Sequence, residues 1–200
     1  VTVNTILKEE ELKETEEMIH ALYRVGVDAL IVQDMGITKL NLPPIPLHAS
    51  TQMDNRTPEK VKFLWEAGFR QVVLARELSI REIRKIHEIC PEVPLEVFVH
   101  GALCVSYSGQ CYLSAVIGQR SGNRGLCAQP CRLPYNGGYP LSLKDLMLAG
   151  HVAELADWGV SSLKIEGRMK RPEYAAIVTK VYADLLREHR KPTAGERDIL

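Results

Sequence analysis

Four of the five cysteines in this 200-residue chain lie within one stretch of 28 residues. They are Cys104, Cys111, Cys127 and Cys131, and their spacing is Cys-x6-Cys-x15-Cys-x3-Cys. Thiolates are soft ligands, and such a dense group is typical of an iron–sulfur cluster or a zinc site. Zinc sites commonly use two Cys-x2–4-Cys pairs, and only the second pair is close to that pattern. The spacing therefore favours one 4Fe–4S cluster, while zinc and a site without metal remain open.

The segment around these cysteines is locally cationic, although the formal net charge of the chain is zero. No acidic residue occurs between Glu96 and Asp145. Four basic residues lie in that interval: Arg120, Arg124, Arg132 and Lys144. The loop is a local cationic surface, whereas the neutral chain as a whole offers no electrostatic footprint for nucleic acid. Arginines that only solvate and cap the loop are the competing interpretation.

The rest of the sequence alternates strand-like and helix-like segments. Six short apolar, β-branched runs predict strands over 1–6, 29–32, 46–49, 71–75, 95–99 and 162–165. The segment Thr57-Pro58 and the capping box of Ser79 with Glu82 predict two helix starts. Alternation of this kind indicates parallel βαβ units, so the fold class is α/β.

The strand count predicts a TIM-like (β/α) barrel that is incomplete in this chain. A closed barrel has eight βα units, so about six are expected here and the two N-terminal units are expected to be missing. An open doubly wound sheet is the alternative, but no strand is followed by a glycine-rich phosphate loop. We expect a single partial barrel domain over 1–200, with a cysteine-rich βα loop insertion at about 101–140.

Polar or ionisable side chains follow nearly every predicted strand. In parallel α/β folds, sites form at the carboxyl ends of the strands, so a polar basin is expected beneath the cysteine segment. The predicted substrate-binding residues of this basin are Asn4, Asp34, His48, Gln52, Arg76 and Arg168. The predicted acid–base residues are Glu77, His100 and Glu166. Structural ion pairs, of Arg168 with Glu166 or of Arg76 with Glu77, are the competing interpretation.

The chain resembles peptidase family U32, the collagenase-like proteins. The resemblance rests on the stretches VTVNT, IVQDMG, LHASTQM, VVLARELS, EVFVHGALCVSYSGQC, SGNRGLCAQPCRLPY, LSLKDL and SLKIEGRMKRPEY. It implies a TIM-like barrel and two different activities. Some members are regarded as collagenases, whereas others are iron–sulfur proteins that hydroxylate a tRNA uridine, an rRNA cytidine or the ubiquinone ring without molecular oxygen. The RNA-acting members carry the four-cysteine pattern found here, and the quinone-related members space their ligands differently.

The resemblance and the residue chemistry together favour iron–sulfur-dependent, oxygen-independent hydroxylation of a pyrimidine base in tRNA or 23S rRNA. A collagenase-type peptidase is the alternative, but peptide hydrolysis needs a nucleophile–base pair or a metal with an open position. Some RNA-acting members depend on prephenate, so Arg76 and Arg168 are candidates to clamp a carboxylated co-substrate. In the cationic loop, Arg120 and Arg124 are candidates to guide an RNA backbone. Tyr107 and Tyr112 are candidates to stack a splayed base.

Three further expectations concern the surroundings of the protein. No apolar run approaches the roughly 18 residues that span a bilayer, so no membrane partner is expected. An RNA substrate implies the cytoplasm, although the chain begins at Val1 without a methionine and targeting is not decided. Exposed edges of a truncated barrel would favour a homodimer.

Overall fold

The computed structural model describes residues 1–167 and 170–200. The strands of these ranges are β1 (Thr2–Val3), β2 (Leu30–Val32), β3 (Leu47–Ala49), β4 (Gln71–Val73), β5 (Leu95–Gly101), β6 (Leu146–Met147) and β7 (Ser162–Ile165). The α-helices are α1 (Leu12–Arg24), α2 (Pro58–Glu66), α3 (Ile80–Ile89), α4 (Leu113–Gly118), α5 (Val152–Asp157), α6 (Pro172–Glu188) and α7 (Ala194–Ile199). No helix within these ranges has the length and apolar character needed to cross a bilayer.

The six predicted strands form one parallel sheet. Strands β1 to β5 are neighbours in chain order, and β7 pairs with β5 in parallel. This curled sheet with helices between its strands confirms the α/β prediction and is consistent with an incomplete TIM-like barrel. Strand β6, which the sequence did not predict, pairs antiparallel with the end of β5. Two residues are too few to carry a periodic pattern, which explains the omission.

The two faces of the sheet have different chemistry. Strand side chains such as Val32, Ala49 and Val72 are fully buried on the face that the helices cover. Each of the longer helices contributes buried side chains to this core, among them Ile19, Leu64, Ile86, Leu155 and Leu185. Several alternate positions carry polar side chains instead, among them His48, Gln71, Glu96 and Lys164. The period of two along each strand therefore separates the core from a polar inner face.

The helix starts that the sequence predicted are confirmed. The hydroxyl of Thr57 accepts a hydrogen bond from the backbone N–H of Lys60, and Pro58 occupies the first turn of α2. Ser79 and Glu82 form a reciprocal capping box at the start of α3. Side-chain caps of this kind satisfy backbone N–H groups that would otherwise lack partners.

Gly101 ends β5 at a point where the chain has no room for a side chain. Its φ is +106°, and a Cβ at this position would lie 2.2 Å from the backbone carbonyl oxygen of Glu166. The close approach holds the end of β5 against the segment that follows β7. The start of the cysteine-bearing segment is therefore fixed by backbone contact.

Replacing Gly101 by alanine is expected to lower the free energy of unfolding by about 3 kcal/mol, because the substitution adds both backbone strain and a steric overlap. Urea titration monitored by circular dichroism measures the change. Gly195→Ala is the matched control, since a Cβ there meets nothing within 4 Å. In helix α7 that change is expected to be neutral or to stabilise by up to about 1 kcal/mol. Equal midpoints for the two variants would contradict the prediction.

Candidate functional site

Arg76, which follows β4, and Glu166, which follows β7, form an ion pair at the carboxyl ends of the strands. Arg76 Nη2 donates to Glu166 Oε2 over 2.9 Å, and the two side chains are 18% and 21% exposed. The guanidinium also lies 4.1 Å from the ring centroid of Phe98. The competing interpretation paired Arg76 with Glu77, whereas the structure pairs Arg76 with Glu166. The roles of Arg76 and Glu166 toward a substrate stay predictions.

Three side-chain amides lie together after β1, β2 and β3, and we call Asn4, Gln33 and Gln52 the amide cluster. Asn4 Nδ2 donates to Gln52 Oε1 over 2.6 Å. Gln33 Nε2 donates to the backbone carbonyl oxygen of Gln52 over 3.4 Å. Gln33 is 8% exposed, and its Oε1 has no hydrogen-bond partner in the described ranges. Asn4 and Gln52 were both predicted at this site, whereas Gln33 was not.

Asp34, predicted as a substrate ligand, holds the local backbone. Its Oδ1 accepts from the backbone N–H of Gly36 over 2.7 Å, and its Oδ2 accepts from that of Leu7 over 2.8 Å. These bonds cap the short 3-10 turn over Met35–Lys39 and tie it to the segment after β1. Both carboxylate oxygens are thus used structurally.

His48 lies away from the carboxyl ends of the strands. It lines a cavity of about 460 Å³ together with Val1 and Ala29, which precede β1 and β2. Burial lowers the pKa of His48 below its usual value, while the nearby Glu96 opposes that shift. Glu96 is held by Gln71 and Lys164, whose side chains donate to its two oxygens. His48 therefore belongs to a polar inner layer at the other end of the sheet, and the structure does not bring it to Gln52 or Arg76.

His100 contacts helix α6 rather than the strand-end groups. Its Nδ1 lies 3.3 Å from the hydroxyl of Tyr182, and its ring lies 5.8 Å from that of Tyr174. The register between β5 and β7 shifts between Phe98 and His100, which indicates a β-bulge. A bulge redirects the side chains that follow it, and this explains the outward position. Burial lowers the pKa of His100, which favours its neutral imidazole, and its acid–base role stays a prediction.

The segment 102–145 between β5 and β6, here called the cysteine loop, is anchored on the sheet by Ser108. The Ser108 hydroxyl donates to Glu77 Oε2 over 2.8 Å, and the Ser108 backbone N–H donates to Glu77 Oε1 over 2.9 Å. Thr51 Oγ1 also donates to Ser108 Oγ over 3.3 Å. Glu77, predicted as an acid–base residue, therefore fixes the part of the loop between Cys104 and Cys111.

Gly109 brings the cysteine loop into backbone contact with the amide cluster. Its φ is +76°, and a Cβ there would lie 1.9 Å from the backbone carbonyl oxygen of Gln52. Only glycine avoids that overlap. Gly109 O in turn accepts from Asn123 Nδ2 over 3.0 Å. The two halves of the loop therefore meet beside Gln52.

A second anchor ties the cysteine loop to the segment after β1. Arg124 makes a bidentate ion pair with Glu11, and its Nη1 also donates to the carbonyl oxygen of Ile6. The side-chain hydrogen bonds from Arg124 lower the pKa of Glu11 from 4.5 to about 2. Arg124 was predicted to guide an RNA backbone, and the structure shows that its guanidinium is already paired.

The Cys104 thiol lies close enough to the other three thiols of the cysteine loop for their charges to affect its pKa. Although residue Cys104 is exposed, desolvation of its thiol by the surrounding protein raises its pKa. The nearby Arg76 lowers that pKa, and the charges of Cys131, Cys111 and Cys127 raise it further. Cys104 and Cys127 are exposed and the other two are half-buried. In the described part of the chain, no three or more His, Cys, Asp or Glu side chains converge closely enough to hold a single metal ion.

The remaining predicted contacts lie on the surface of the loop. Arg120 Nε donates to the carbonyl oxygen of Leu126 over 3.1 Å. Tyr107 is exposed and lies beneath the guanidinium of Arg56, 4.0 Å from its carbon. Tyr112 is also exposed, at the start of α4. Arg168 lies outside the described residues, so its prediction is not examined by the structure.

The site residues that were not predicted have only weak signals in the local sequence. Gln33 follows Val32, whose side chain faces the helices, so strict alternation places Gln33 on the inner face of the sheet. Ser108 precedes Gly109, and Asn123 follows Gly122; a small or polar residue beside a glycine is typical of a loop that approaches another backbone closely. The partners of these side chains, by contrast, are distant in sequence and carry no local pattern.

Glu11 is expected to titrate near pH 2, and the Arg124→Ala substitution is expected to return its pKa toward 4.5. The folded-state pKa is depressed, so the stabilisation by this pair is complete above about pH 4.5 and is lost as the pH falls through about 2. Carbon-13 NMR of the side-chain carboxyl groups measures both values.

Glu196 is the internal control for this titration, because its pKa is lowered to about 2 by Arg190 instead. It is expected to be unchanged by Arg124→Ala. A low pKa of Glu11 that persists in the variant would show that Arg124 does not hold the loop.

Ser108→Ala is expected to loosen the cysteine loop, because the Glu77 carboxylate loses its hydroxyl donor. A lost hydrogen bond to a charged group costs about 1.5–3 kcal/mol, so amide exchange around residue 108 is expected to accelerate about tenfold or more. Hydrogen–deuterium exchange with mass spectrometry measures this. Ser106→Ala makes the same change at a hydroxyl without a hydrogen bond to any described residue and is expected to have little effect. Identical exchange in both variants would contradict the anchoring role.

Comparison with known proteins agrees with the resemblance seen in the sequence. The chain is 51% identical to the 23S rRNA 5-hydroxycytidine synthase of Escherichia coli, over 93% of this chain and 30% of that protein. It is 36% identical to tRNA hydroxylation protein P of Helicobacter pylori, over 90% of this chain and 49% of that protein. It is 34% identical to a collagenase of Porphyromonas gingivalis, over 100% of this chain and 54% of that protein.

The chain thus spans between 30% and 54% of the length of these three relatives. A solved structure of a U32 peptidase matches 82% of this chain and 63% of that chain, with a TM-score of 0.49 and 13% identity. Residues 1–198 match the sequence profile of peptidase family U32. Since this match covers nearly every residue, the chain belongs to peptidase family U32.

Proposed function

We propose that this chain acts in the hydroxylation of a pyrimidine base in RNA, with an iron–sulfur cluster held by Cys104, Cys111, Cys127 and Cys131 and without molecular oxygen. The observation that carries the proposal is the gathering of four thiols in one loop anchored over the strand ends. The names of two relatives, a 23S rRNA 5-hydroxycytidine synthase and a tRNA hydroxylation protein, support RNA as the substrate. Either RNA species fits the proposal.

The donor set suits an iron–sulfur cluster better than a single zinc ion. A tetrahedral zinc site needs every sulfur about 2.3 Å from one point, and the thiols do not converge in that way. Each thiolate of a 4Fe–4S cluster binds a different iron, so the four ligands stand farther apart. The Cys-x6-Cys-x15-Cys-x3-Cys spacing favours the second arrangement. When bound, such a cluster supplies electron transfer to the reacting groups.

The residues of the chain hold the surroundings of this centre in place. Arg76 lies close enough to Cys104 for its charge to oppose the rise in the pKa of that thiol that desolvation causes. Glu166 in turn fixes the Arg76 guanidinium. Ser108 and Gly109 hold the loop segment between the first two cysteines against Glu77 and Gln52. The ligand loop, the ion pair and the amide cluster are therefore mutually positioned.

The proposed partners follow from the same site. The exposed Arg120, Tyr107 and Tyr112 remain the candidates for contact with RNA, and an RNA substrate implies action in the cytoplasm. A carboxylated co-substrate such as prephenate stays a prediction, because the expected clamp residue Arg76 is engaged by Glu166. A homodimer likewise stays a prediction.

A collagenase-type peptidase is the second candidate, because one relative carries the name collagenase. Peptide hydrolysis by a nucleophile requires a serine, threonine or cysteine that is hydrogen-bonded to a base. Within residues 1–167 and 170–200, no histidine is hydrogen-bonded to such a side chain. The Ser108 hydroxyl donates to a carboxylate that also anchors the backbone. These contacts favour hydroxylation over proteolysis.

The protein purified without oxygen is expected to contain about four irons and four sulfides per chain. Single Cys→Ser substitutions at positions 104, 111, 127 and 131 are each expected to remove most of the iron and the visible absorbance. Cys90→Ser is the matched control, because Cys90 is buried against Pro58 and lies outside the loop. Iron and sulfide analysis with absorption spectroscopy gives the measurement.

The activity is tested with the full-length natural protein in cells that lack the gene. Mass spectrometry of nucleosides from tRNA and 23S rRNA is expected to show a hydroxylated pyrimidine only when the four cysteines are intact. Colourless protein without iron would contradict the cluster. Gelatin cleavage that survives loss of all four cysteines, with unchanged RNA, would favour the peptidase instead.

A further inference from the structure

The amide cluster presents hydrogen-bonding groups that the protein itself does not use. Gln33 Oε1 is buried and has no partner among the described residues. Gln52 uses its Oε1 to accept from Asn4, and no described residue accepts from its Nε2. A buried carbonyl oxygen without a partner costs about 1–3 kcal/mol. Such a group in a native site indicates a ligand or a role beyond stability.

The free groups define the chemistry of that ligand. One is an acceptor and the other is a donor, and both belong to neutral amides. An anion is disfavoured, because the Gln33 oxygen would repel it, and a cation is disfavoured by the free N–H groups of Gln52. A neutral planar edge that carries one donor beside one acceptor satisfies both. The Watson–Crick edge of a nucleobase has this pattern, and side-chain amides are common readers of it.

The position of the cluster connects it with the proposed chemistry. The Gln52 carbonyl oxygen, to which Gln33 donates, is also the atom against which Gly109 of the cysteine loop packs. Gly109 lies two residues before Cys111. Ser108, its neighbour, is fixed to Glu77. A base edge held by the amides therefore lies directly beside the loop that carries the thiols.

We propose that Gln33 and Gln52, supported by Asn4, form a subsite that binds the Watson–Crick edge of the target pyrimidine in RNA. This inference rests on the proposed function for the identity of the ligand. Gln33 Oε1 accepts from the base, and Gln52 Nε2 donates to it. Asn4 is a positioning residue, because its bond to Gln52 Oε1 fixes the orientation of the Gln52 amide group.

The test compares binding of two single-stranded RNA oligomers to the full chain by fluorescence anisotropy. One oligomer contains uridine, and the other contains 3-methyluridine, in which a methyl group blocks the Watson–Crick edge. The wild-type protein is expected to bind the methylated oligomer about tenfold more weakly, as loss of a paired edge contact implies. Gln33→Met, a near-isosteric change, is expected to reduce this difference to less than twofold.

Gln110→Met is the matched control, since Gln110 is an exposed glutamine of the cysteine loop outside the amide cluster. It is expected to keep the tenfold difference. Gln33→Met removes an unpartnered buried oxygen and also the long bond from Gln33 Nε2 to the Gln52 carbonyl oxygen. The two changes oppose each other, so the variant is expected to unfold at about the same urea concentration as the wild type. That result separates lost recognition from lost folding.

The inference is overturned if the wild-type protein binds both oligomers equally or binds neither. It is also overturned if Gln33→Met keeps the full discrimination. If Gln33→Met fails to fold, two measurements on the wild-type protein decide. They are the comparison of the two oligomers and the change of the side-chain amide shifts of Gln33 and Gln52 on RNA binding, measured by nitrogen-15 NMR. Iron content and RNA hydroxylation are measured separately, so discrimination without iron would refute the proposed function and leave the subsite intact.

Discussion

The contact between the Glu77 carboxylate and Ser108 determines where the long loop between β5 and β6 lies. One carboxylate receives both the hydroxyl and the backbone N–H of a single residue, and that residue is only 6% exposed. Charge-assisted hydrogen bonds of this kind are stronger than neutral ones, and burial increases their value. A loop of 44 residues with little regular structure has high conformational entropy, so a few strong contacts must fix it. The thiols depend on this contact, because Ser108 lies between the first two.

The backbone approach of Gly109 to Gln52 adds a steric constraint to that electrostatic one. It links the loop to the third strand end, while Arg124 links the opposite half of the loop to the segment after β1. Between these points, helix α4 exposes Val116 and Ile117. The loop is therefore held at its two sides and open at its centre. Such an arrangement positions ligands firmly without enclosing them.

Much of the fold could be predicted from the sequence, because the signals involved are local. Short apolar, β-branched runs located all six parallel strands, and the side-chain caps at Thr57 and Ser79 located two helix starts. The site was predicted less completely. Arg76 pairs with Glu166 across 90 residues, and no local pattern distinguishes that partner from the adjacent Glu77. The bulge before His100 likewise has no recognisable sequence signal, yet it moves the imidazole to the side of the sheet that α6 covers.

The internal pairing of charge around the strand ends has a consequence for how this surface would respond to ionic strength. Arg76 is neutralised by Glu166 and Arg124 by Glu11, while the amide cluster beside them is uncharged. Salt weakens interactions between exposed charges and leaves short-range contacts between neutral groups almost untouched. Discrimination between bases at this surface would therefore persist at salt concentrations that release a polyanion from ordinary basic patches.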